Sequence, residues 1–288
     1  MQSFDYRKVY SLKEALDAAS AAKGASVFMA GGTDLLVQIK EGKVRPQDVI
    51  DLKGISEMDG VAITGGECSI GALTSIRTLE TSPLVSEKAP LLAQAAARLG
   101  SIQVRHRATI GGNLCNASPS ADTAPALLAL DAQAEIFGKT GARVIELEKF
   151  FLGPGKTVLG DGELLTGLKI PLTRHRQGSV YYKLSTRKAM DLAFVGVAVL
   201  LELDGNDKIS KARIALGAVA PTPVRVLPAE KLLESIRLNP EAARESAELA
   251  ARSCEPITDH RASAEYRREM VRELCQRGLL AAYRLATS

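Results

Sequence analysis

The sequence predicts an α+β fold in three units, residues 1–55, 56–175 and 176–288. The first unit opens with a strand, helix and strand pattern, and a Gly-Gly pair follows its second strand at positions 31 and 32. The second unit carries another Gly-Gly pair, at positions 111 and 112, among short strands and helices. The third unit begins with three β segments and ends in helices, which indicates an antiparallel sheet with helices. We therefore expect two α+β subdomains followed by a sheet-plus-helices domain.

Composition excludes several classes of protein. The chain has 288 residues, of which 46% are hydrophobic and 24% charged, so it is neither disordered, nor collagen-like, nor a small disulfide-stapled protein. Its longest apolar runs, such as residues 192–201, are much shorter than the roughly 20 residues that cross a bilayer. The first residues lack the charged and apolar regions of a signal peptide. We expect a cytoplasmic protein without a membrane span.

The first unit contains a capped helix and a strand that leads into the first Gly-Gly pair. Ser11 followed by Glu14 forms a capping box, and apolar residues then recur at helical spacing from Leu12. Residues 27–30 form a short apolar strand, and a helical pattern resumes at Leu35. A glycine loop therefore joins a strand to a helix, and residues 48–52 predict a further strand.

The second unit alternates strands and helices around an unusual polar stretch. Strands are predicted at residues 61–64, 68–72, 132–137, 142–147 and 163–170, and helices at residues 74–80, 90–99 and 123–130. Pro90 and Gly100 mark the start and end of the second of these helices. Residues 111–122 are small and polar without an apolar period, which predicts a loop. Residues 153–156 predict a turn.

The third unit follows a polar linker at residues 174–178. Its β segments are residues 180–184, 193–203 and 208–219, with a hairpin turn at residues 204–207. Helices are predicted at residues 229–236, 240–252 and 263–285.

Charge and cysteine usage argue against nucleic-acid binding and against a metal site. The net charge is +4 from 37 basic and 33 acidic residues, aromatic residues make up only 4%, and Trp is absent, so no basic or stacking surface is indicated. The cysteines and histidines are isolated in sequence: Cys68, Cys115, Cys254, Cys275, His106, His175 and His260. None has zinc or iron–sulfur spacing. We expect no metal in this chain.

The two Gly-Gly pairs are candidate phosphate-binding loops. Glycine lets backbone N–H groups approach an anion, and a following helix N-terminus favours negative charge. For Gly31 and Gly32 alone, a tight structural turn is an equally good interpretation. Neither the dinucleotide fingerprint nor the P-loop pattern is present. Together with Gly111 and Gly112, the two segments have the capacity to hold two phosphates.

The polar residues after the second pair have two interpretations. Asn116, Ser118, Ser120 and Asp122 carry the groups that hydrogen-bond a sugar or ribitol chain. They are also typical of an ordinary turn cluster in which Asp122 caps the helix that starts at Thr123. Composition alone favours the turn cluster.

Four motifs stand out along the chain: Ala30-Gly-Gly-Thr-Asp-Leu35, Thr109-Ile-Gly-Gly-Asn113 with its tail at residues 115–122, Gly153-Pro-Gly-Lys156 and Ala218-Val-Ala-Pro-Thr-Pro223. These motifs and their order resemble those of the FAD-binding subunits of molybdenum hydroxylases. The chain most resembles the separate flavin subunit of bacterial xanthine dehydrogenases. It is similar, more distantly, to the medium subunits of carbon monoxide and nicotinate dehydrogenases. The resemblance covers essentially the whole chain.

The resemblance implies that FAD is the cofactor and that particular residues contact it. The implied cofactor-binding residues are Ala30, Gly31, Gly32, Thr33, Asp34, Leu35, Thr109, Ile110, Gly111, Gly112, Asn113, Asn116, Asp122, Leu168 and Lys183. Those of the two glycine segments would hold the pyrophosphate, and Asp122 the polyol hydroxyls. Lys183 matches a family lysine near the isoalloxazine ring, where a cation stabilises the reduced flavin, so it is the candidate catalytic residue. Its alternative role is that of a solvated strand lysine.

The function implied by the resemblance is electron transfer within a larger complex. The partners would be a molybdenum-cofactor large subunit and a 2Fe-2S small subunit, and NAD would be the electron acceptor. Some relatives carry an acidic pair or a tyrosine where this chain has Met190, Asp191 and Leu192. Alternatives are the flavin subunit of an aldehyde, carbon monoxide or nicotinate dehydrogenase, a stand-alone flavoprotein oxidoreductase, and a non-catalytic assembly or nucleotide-binding module.

Overall fold

The structure is a computed structural model that describes residues 3–22, 24–172 and 176–288. The linker predicted at residues 174–178 lies partly outside the described residues. His175 lies outside them altogether. No helix in the described ranges is long and apolar enough to cross a membrane.

The N-terminal part is a small parallel sheet with two helices. Its elements are β1 (Asp5–Lys8), α1 (Leu12–Ala21), β2 (Ser26–Met29), α2 (Leu35–Lys40) and β3 (Asp48–Asp51). β3 lies between β1 and β2, and both pairings are parallel. The predicted cap of α1 is present, because Ser11 Oγ accepts from the Glu14 amide at 3.2 Å while Glu14 accepts from the Tyr10 amide at 2.8 Å.

The middle part is an antiparallel sheet with short helices. Its strands are β4 (Val61–Thr64), β5 (Glu67–Gly71), β6 (Gln133–Gly138), β7 (Gly141–Glu146), β8 (Phe151–Gly153), β9 (Lys156–Thr157) and β10 (Leu164–Pro171). Its helices are α3 (Ile76–Thr81), α4 (Pro83–Lys88), α5 (Pro90–Arg98), α6 (Ile102–Arg105), α7 (Ile110–Cys115) and α8 (Thr123–Ala129). The main sheet has the order β4-β5-β10-β6-β7, and β8 and β9 form a separate hairpin.

One local prediction in this part was wrong. The second Gly-Gly pair does not lie in a loop but in the short helix α7, which Thr109 caps by accepting a hydrogen bond from the Gly112 amide. The turn predicted at residues 153–156 is present as the tip of the β8-β9 hairpin, where Gly155 has a φ of 70°.

The C-terminal part is an antiparallel sheet with three helices, as predicted, but the sheet has a fourth, two-residue strand in addition to the three predicted. Its elements are β11 (Arg176–Leu184), β12 (Val195–Leu203), β13 (Ile209–Gly217), β14 (Val224–Arg225), α9 (Leu227–Leu233), α10 (Pro240–Arg252) and α11 (Ala264–Thr287). The order is β11-β12-β13-β14. The fold class α+β is therefore confirmed.

The sheet is covered on both faces, which explains the long apolar run in β12. Every residue of β12 is buried. Val197 and Val199 belong to the core shared with α10 and α11, whereas Ala198 and Leu200 belong to the core of the preceding parts of the chain. Successive side chains of a strand point to opposite faces, so β12 joins two hydrophobic cores and fixes the C-terminal sheet against the rest of the molecule.

Candidate functional site

A cleft with a volume of 640 Å³ lies where the three parts of the chain meet. One wall is the segment from β2 to α2, and a second is α7 with the residues that follow it. The third side is residues 190–192, where Met190 and Leu192 are about half exposed. The cleft is lined by residues that are far apart in the sequence, which is typical of a binding site between subdomains.

The first glycine loop, residues 30–35, lies along the cleft. The backbone N–H groups of residues 31–34 donate to no other described residue. Gly32 has a φ of 76°, a conformation that favours glycine. A Cβ on Gly31 would lie 2.0 Å from the Arg107 carbonyl oxygen, so only glycine fits there. Among the described residues, none accepts a hydrogen bond from the amides of Gly31, Gly32, Thr33 or Asp34. Consecutive backbone N–H groups without partners are the kind of donors that backbone anion-binding segments use.

The second glycine segment, residues 111–113, has no free backbone donors to offer. It instead forms a closely fitting wall of the cleft and carries a side-chain donor. Its amides are engaged: Gly111 donates to the Ala72 carbonyl at 2.8 Å, and Gly112 and Asn113 donate to Thr109. A Cβ on Gly112 would lie 3.9 Å from the Ala30 Cβ, so the two glycine segments face each other closely.

Asparagine side chains extend this wall of the cleft. Asn113 Oδ1 accepts from Thr123 Oγ1 at 2.6 Å, which leaves its Nδ2 without a partner among the described residues. Asn116 Oδ1 accepts from Gln38 Nε2 at 3.3 Å, a contact that joins α2 to the residues after α7. Asn113 lines the cleft, so its side-chain amide is a candidate donor to a molecule bound there.

Asp122 forms a buried polar cluster with two residues of β11. Its Oδ2 lies 2.7 Å from Lys183 Nζ, and its Oδ1 accepts from the Tyr181 hydroxyl at 3.0 Å. Lys183 also donates to the Arg98 carbonyl at 3.0 Å. Asp122 is 5% exposed and its side chain makes no helix-capping hydrogen bond to α8. The two simple interpretations, a capping aspartate and a solvated lysine, are therefore wrong in this fold.

Burial and charge act in opposite directions on this cluster. Burial raises the pKa of the Asp122 carboxyl, and the neighbouring Lys183 ammonium and Tyr181 hydroxyl oppose that shift. Burial and the adjacent carboxylate together raise the pKa of Tyr181 well above its ordinary value. Tyr181 therefore remains a neutral hydrogen-bond donor to Asp122 at neutral pH.

Most of the residues implied by the resemblance line this one cleft, and three do not. Those in the lining are Ala30, Gly31, Gly32, Thr33, Asp34, Leu35, Thr109, Gly111, Gly112, Asn113, Asn116 and Asp122. Ile110 and Leu168 are fully buried in the core, and Lys183 lies behind Asp122. Further residues that line the cleft, among them Gln38, Leu99 and Glu163, were not predicted from the sequence, because no local motif marks them.

Within the described ranges, no group of three His, Cys, Asp or Glu side chains has a geometry that would hold a metal ion.

Comparison with known proteins identifies the family. Residues 2–173 match the FAD-binding domain in molybdopterin dehydrogenase, and residues 180–282 match the C-terminal domain of the CO dehydrogenase flavoprotein. The chain is 34% identical over 280 residues to the carbon monoxide dehydrogenase medium chain of Hydrogenophaga pseudoflava, covering 97% of both chains. It is 31% identical over 274 residues to the putative xanthine dehydrogenase FAD-binding subunit of Escherichia coli, covering 94% of this chain and 93% of the relative.

Solved structures agree with the sequence matches. A chain of carbon monoxide dehydrogenase from Hydrogenophaga pseudoflava has a TM-score of 0.95 at 33% identity, covering 99% of this chain and 98% of that one. Quinoline 2-oxidoreductase from Pseudomonas putida 86 gives a TM-score of 0.93 at 29% identity, covering 100% of this chain and 99% of that one.

Fold and matches together define an FAD-binding oxidoreductase subunit. The chain belongs to the FAD-binding medium subunits of the molybdenum hydroxylase family, as the four motifs predicted. The residues in the cleft fit this cofactor: the free amides of the first glycine loop suit a pyrophosphate, and a Cβ at Gly112 would occupy space between the two glycine segments.

Proposed function

We propose that this chain is the electron-transfer subunit of a xanthine dehydrogenase-like molybdenum hydroxylase complex. In this proposal, electrons leave a molybdenum-cofactor large subunit, pass through a 2Fe-2S small subunit and reach NAD by way of this chain. The observation that carries the proposal is that one cleft combines the free amides of the first glycine loop with Asp122, whose carboxylate is paired with the buried Lys183 ammonium behind it. When bound, FAD supplies the conversion between one-electron and two-electron transfer.

Each group in the cleft has a proposed task. The amides of Gly32, Thr33 and Asp34 donate hydrogen bonds to the pyrophosphate. Asp122 accepts from the hydroxyls of the polyol, because a carboxylate oxygen that already takes one hydrogen bond retains a further acceptor site. Lys183 holds a positive charge behind Asp122, where it favours the accumulation of negative charge in the cleft.

A second candidate is the flavin subunit of a carbon monoxide dehydrogenase. It is supported by the 34% identity to the Hydrogenophaga pseudoflava medium chain, against 31% for the Escherichia coli xanthine dehydrogenase subunit. In both proposals the substrate is chosen by the large subunit, so this chain takes part in the same step of electron transfer.

Assays with and without partner subunits test the proposal. The purified chain with FAD is expected to oxidise NADH with an artificial dye, because this exchange needs only the flavin cleft. It is expected to oxidise neither xanthine nor hypoxanthine until the iron–sulfur and molybdenum-cofactor subunits are added. Steady-state rates with purines, and with carbon monoxide in the same reconstituted complex, distinguish the two candidates. Purine turnover by the chain alone would favour a stand-alone flavoenzyme.

A further inference from the structure

Lys53 lies directly behind the first glycine loop. Its Nζ donates to the Ala30 carbonyl oxygen at 3.1 Å and to Asp51 Oδ1 at 2.6 Å. The Lys53 side chain is 31% exposed, and Lys53 is not among the residues that line the cleft. It therefore contacts the loop through the Ala30 carbonyl oxygen and does not itself line the cleft.

Asp51 fixes the position of the Lys53 ammonium. Its carboxylate is almost completely buried and also accepts hydrogen bonds from the Tyr6 hydroxyl and, at 3.0 Å, from the Lys53 backbone amide. The charge of the ammonium is balanced by this carboxylate, so the cluster adds little net charge behind the loop. What the cluster supplies is a hydrogen-bond donor in a fixed position, the Lys53 ammonium, which holds the Ala30 carbonyl oxygen.

The position of that carbonyl determines where the next amide points. In a trans peptide, the C=O and the N–H lie in the same plane and point in opposite directions. Holding the Ala30 oxygen toward Lys53 therefore directs the Gly31 N–H away from Lys53. This N–H begins the run of unpartnered amides at residues 31–34. Without Lys53, the peptide that joins Ala30 to Gly31 would lose its fixed orientation, because Gly31 and Gly32 impose few restrictions of their own.

We propose that Lys53 is a positioning residue for the pyrophosphate site, which it prepares by fixing the peptide between Ala30 and Gly31. The proposal rests on the proposed function, in that the first glycine loop binds the pyrophosphate of FAD. Lys53 acts through the loop and does not contact the cofactor.

Binding measurements on the full chain, freed of flavin, test this role. The variants are Lys53→Met, Lys53→Arg and, as a matched control, Lys43→Met; Lys43 is a surface lysine of the same part of the chain, and its side chain is 71% exposed. The ligands are FAD, riboflavin, which lacks phosphate, and inorganic pyrophosphate as a competitor of FAD. We expect Lys53→Met to weaken binding of FAD and of pyrophosphate by about tenfold and to leave riboflavin affinity unchanged. Lys53→Arg, which retains a donor, should recover most of the loss, and Lys43→Met should match wild type.

Hydrogen exchange gives a second readout that needs no ligand. In the flavin-free chain, Lys53→Met should speed amide exchange in residues 30–35 while exchange in β12 stays at the wild-type rate. Lys53→Gln, a milder change that keeps a neutral donor, should give a smaller effect in both measurements and serves if Lys53→Met fails to fold.

Two results would overturn the assignment of Lys53: equal FAD affinity in Lys53→Met and wild type, or an equal loss of FAD and riboflavin affinity. Failure of the proposed function looks different. In that case the wild-type chain itself would bind FAD no more tightly than riboflavin, and pyrophosphate would not compete.

Discussion

Asp122 and Lys183 form a buried ion pair, and burying charged groups costs free energy. Their side chains are 6% and 4% exposed, respectively, and removing a charge from water costs several kcal/mol per ion, a cost that the attraction within a buried pair often fails to exceed. A buried pair of this kind is weak evidence for stability. A buried, perturbed carboxylate beside a cleft is better explained by binding, and we propose that this pair serves the cofactor.

Replacing Lys183 with methionine should lower the reduction potential of the bound FAD. Reduction adds negative charge in the cleft, and the ammonium favours that charge. We expect a decrease of roughly 30 mV or more, which corresponds to about 1.4 kcal/mol for a two-electron couple. Spectroelectrochemical titration of the purified chain measures it.

Lys149→Met is the control for this measurement. Lys149 is an exposed lysine, paired with Glu146 and outside the cleft, so its replacement should leave the potential unchanged. If Lys183→Met also had the wild-type potential, Lys183 would be a structural partner of Asp122 and nothing more.

α7 shows how a short helix makes a surface that a cofactor can approach. Thr109 and Ala72 accept hydrogen bonds from its first amides, so these amides are satisfied without a ligand. Its two glycines then differ in role. A Cβ on Gly111 would lie 2.7 Å from the Ala72 carbonyl oxygen, whereas a Cβ on Gly112 would meet only Thr109 Oγ1, at 3.0 Å, and the Ala30 Cβ. Neither glycine has a positive φ, so space and not backbone conformation requires them.

Gly112→Val should reduce FAD affinity by about tenfold or more, because its methyl groups would occupy the space between the two glycine segments. The chain should remain folded. Gly111→Ala should instead lower the free energy of unfolding by about 1–3 kcal/mol, since the added methyl group overpacks the contact with Ala72. Fluorescence titration with FAD and urea unfolding separate the two effects. Full FAD occupancy in a folded Gly112→Val chain would contradict the proposed place of the pyrophosphate.

Elements with strong patterns were predictable from the sequence, and α7 was not. The apolar run of β12 and the turn at residues 204–207 indicated the hairpin that the structure contains. α7 holds two glycines and an asparagine in six residues, each unfavourable in a helix, so its sequence predicts a loop. What makes it a helix is tertiary contact, including the bridge between Thr109 and Ser75.

The polar contacts around the cleft were also not predictable from the sequence, because they too depend on tertiary packing. The motifs identified most of the residues that line it. No pattern in the sequence joins Gln38 to Asn116, which are 78 residues apart, or Asp122 to Lys183, which are 61 apart. Such pairs are set by how the sheets pack, and local spacing carries no information on them.

At the scale of the whole molecule, an ion network joins the middle part to the C-terminal sheet. Asp131, just after α8, has a φ of 50°, which aspartate tolerates, and its carboxylate accepts from Lys211 at 2.8 Å, Arg213 at 3.0 Å and Arg225 at 2.8 Å. Arg225 is paired in turn with the buried Glu230 at 2.7 Å. Asp122, which lines the cleft, directly precedes α8, and Asp131 follows the end of the same helix. The network therefore fixes one side of the cleft relative to the sheet that carries Lys183.

Asp131→Asn should reveal this anchor through the pH dependence of stability. Burial opposes ionisation of Asp131, but hydrogen bonds from Lys211 and Arg213 outweigh it and lower the pKa of the carboxyl. A carboxyl whose pKa is lower in the folded chain than in the unfolded chain, where it is about 3.9, stabilises the fold at higher pH and loses that effect as the pH falls through the folded value.

We therefore expect Asp131→Asn to lower the free energy of unfolding by about 2 kcal/mol at pH 7, with a difference from wild type that shrinks below about pH 4. Asparagine keeps the shape and tolerates the positive φ, so the charge is the main change. Urea unfolding between pH 3 and pH 7 measures the difference, with Asp17→Asn, an exposed position on α1, as the control. A difference independent of pH would show that Asp131 acts through its shape, because a charge effect must disappear once the carboxyl is protonated in both states.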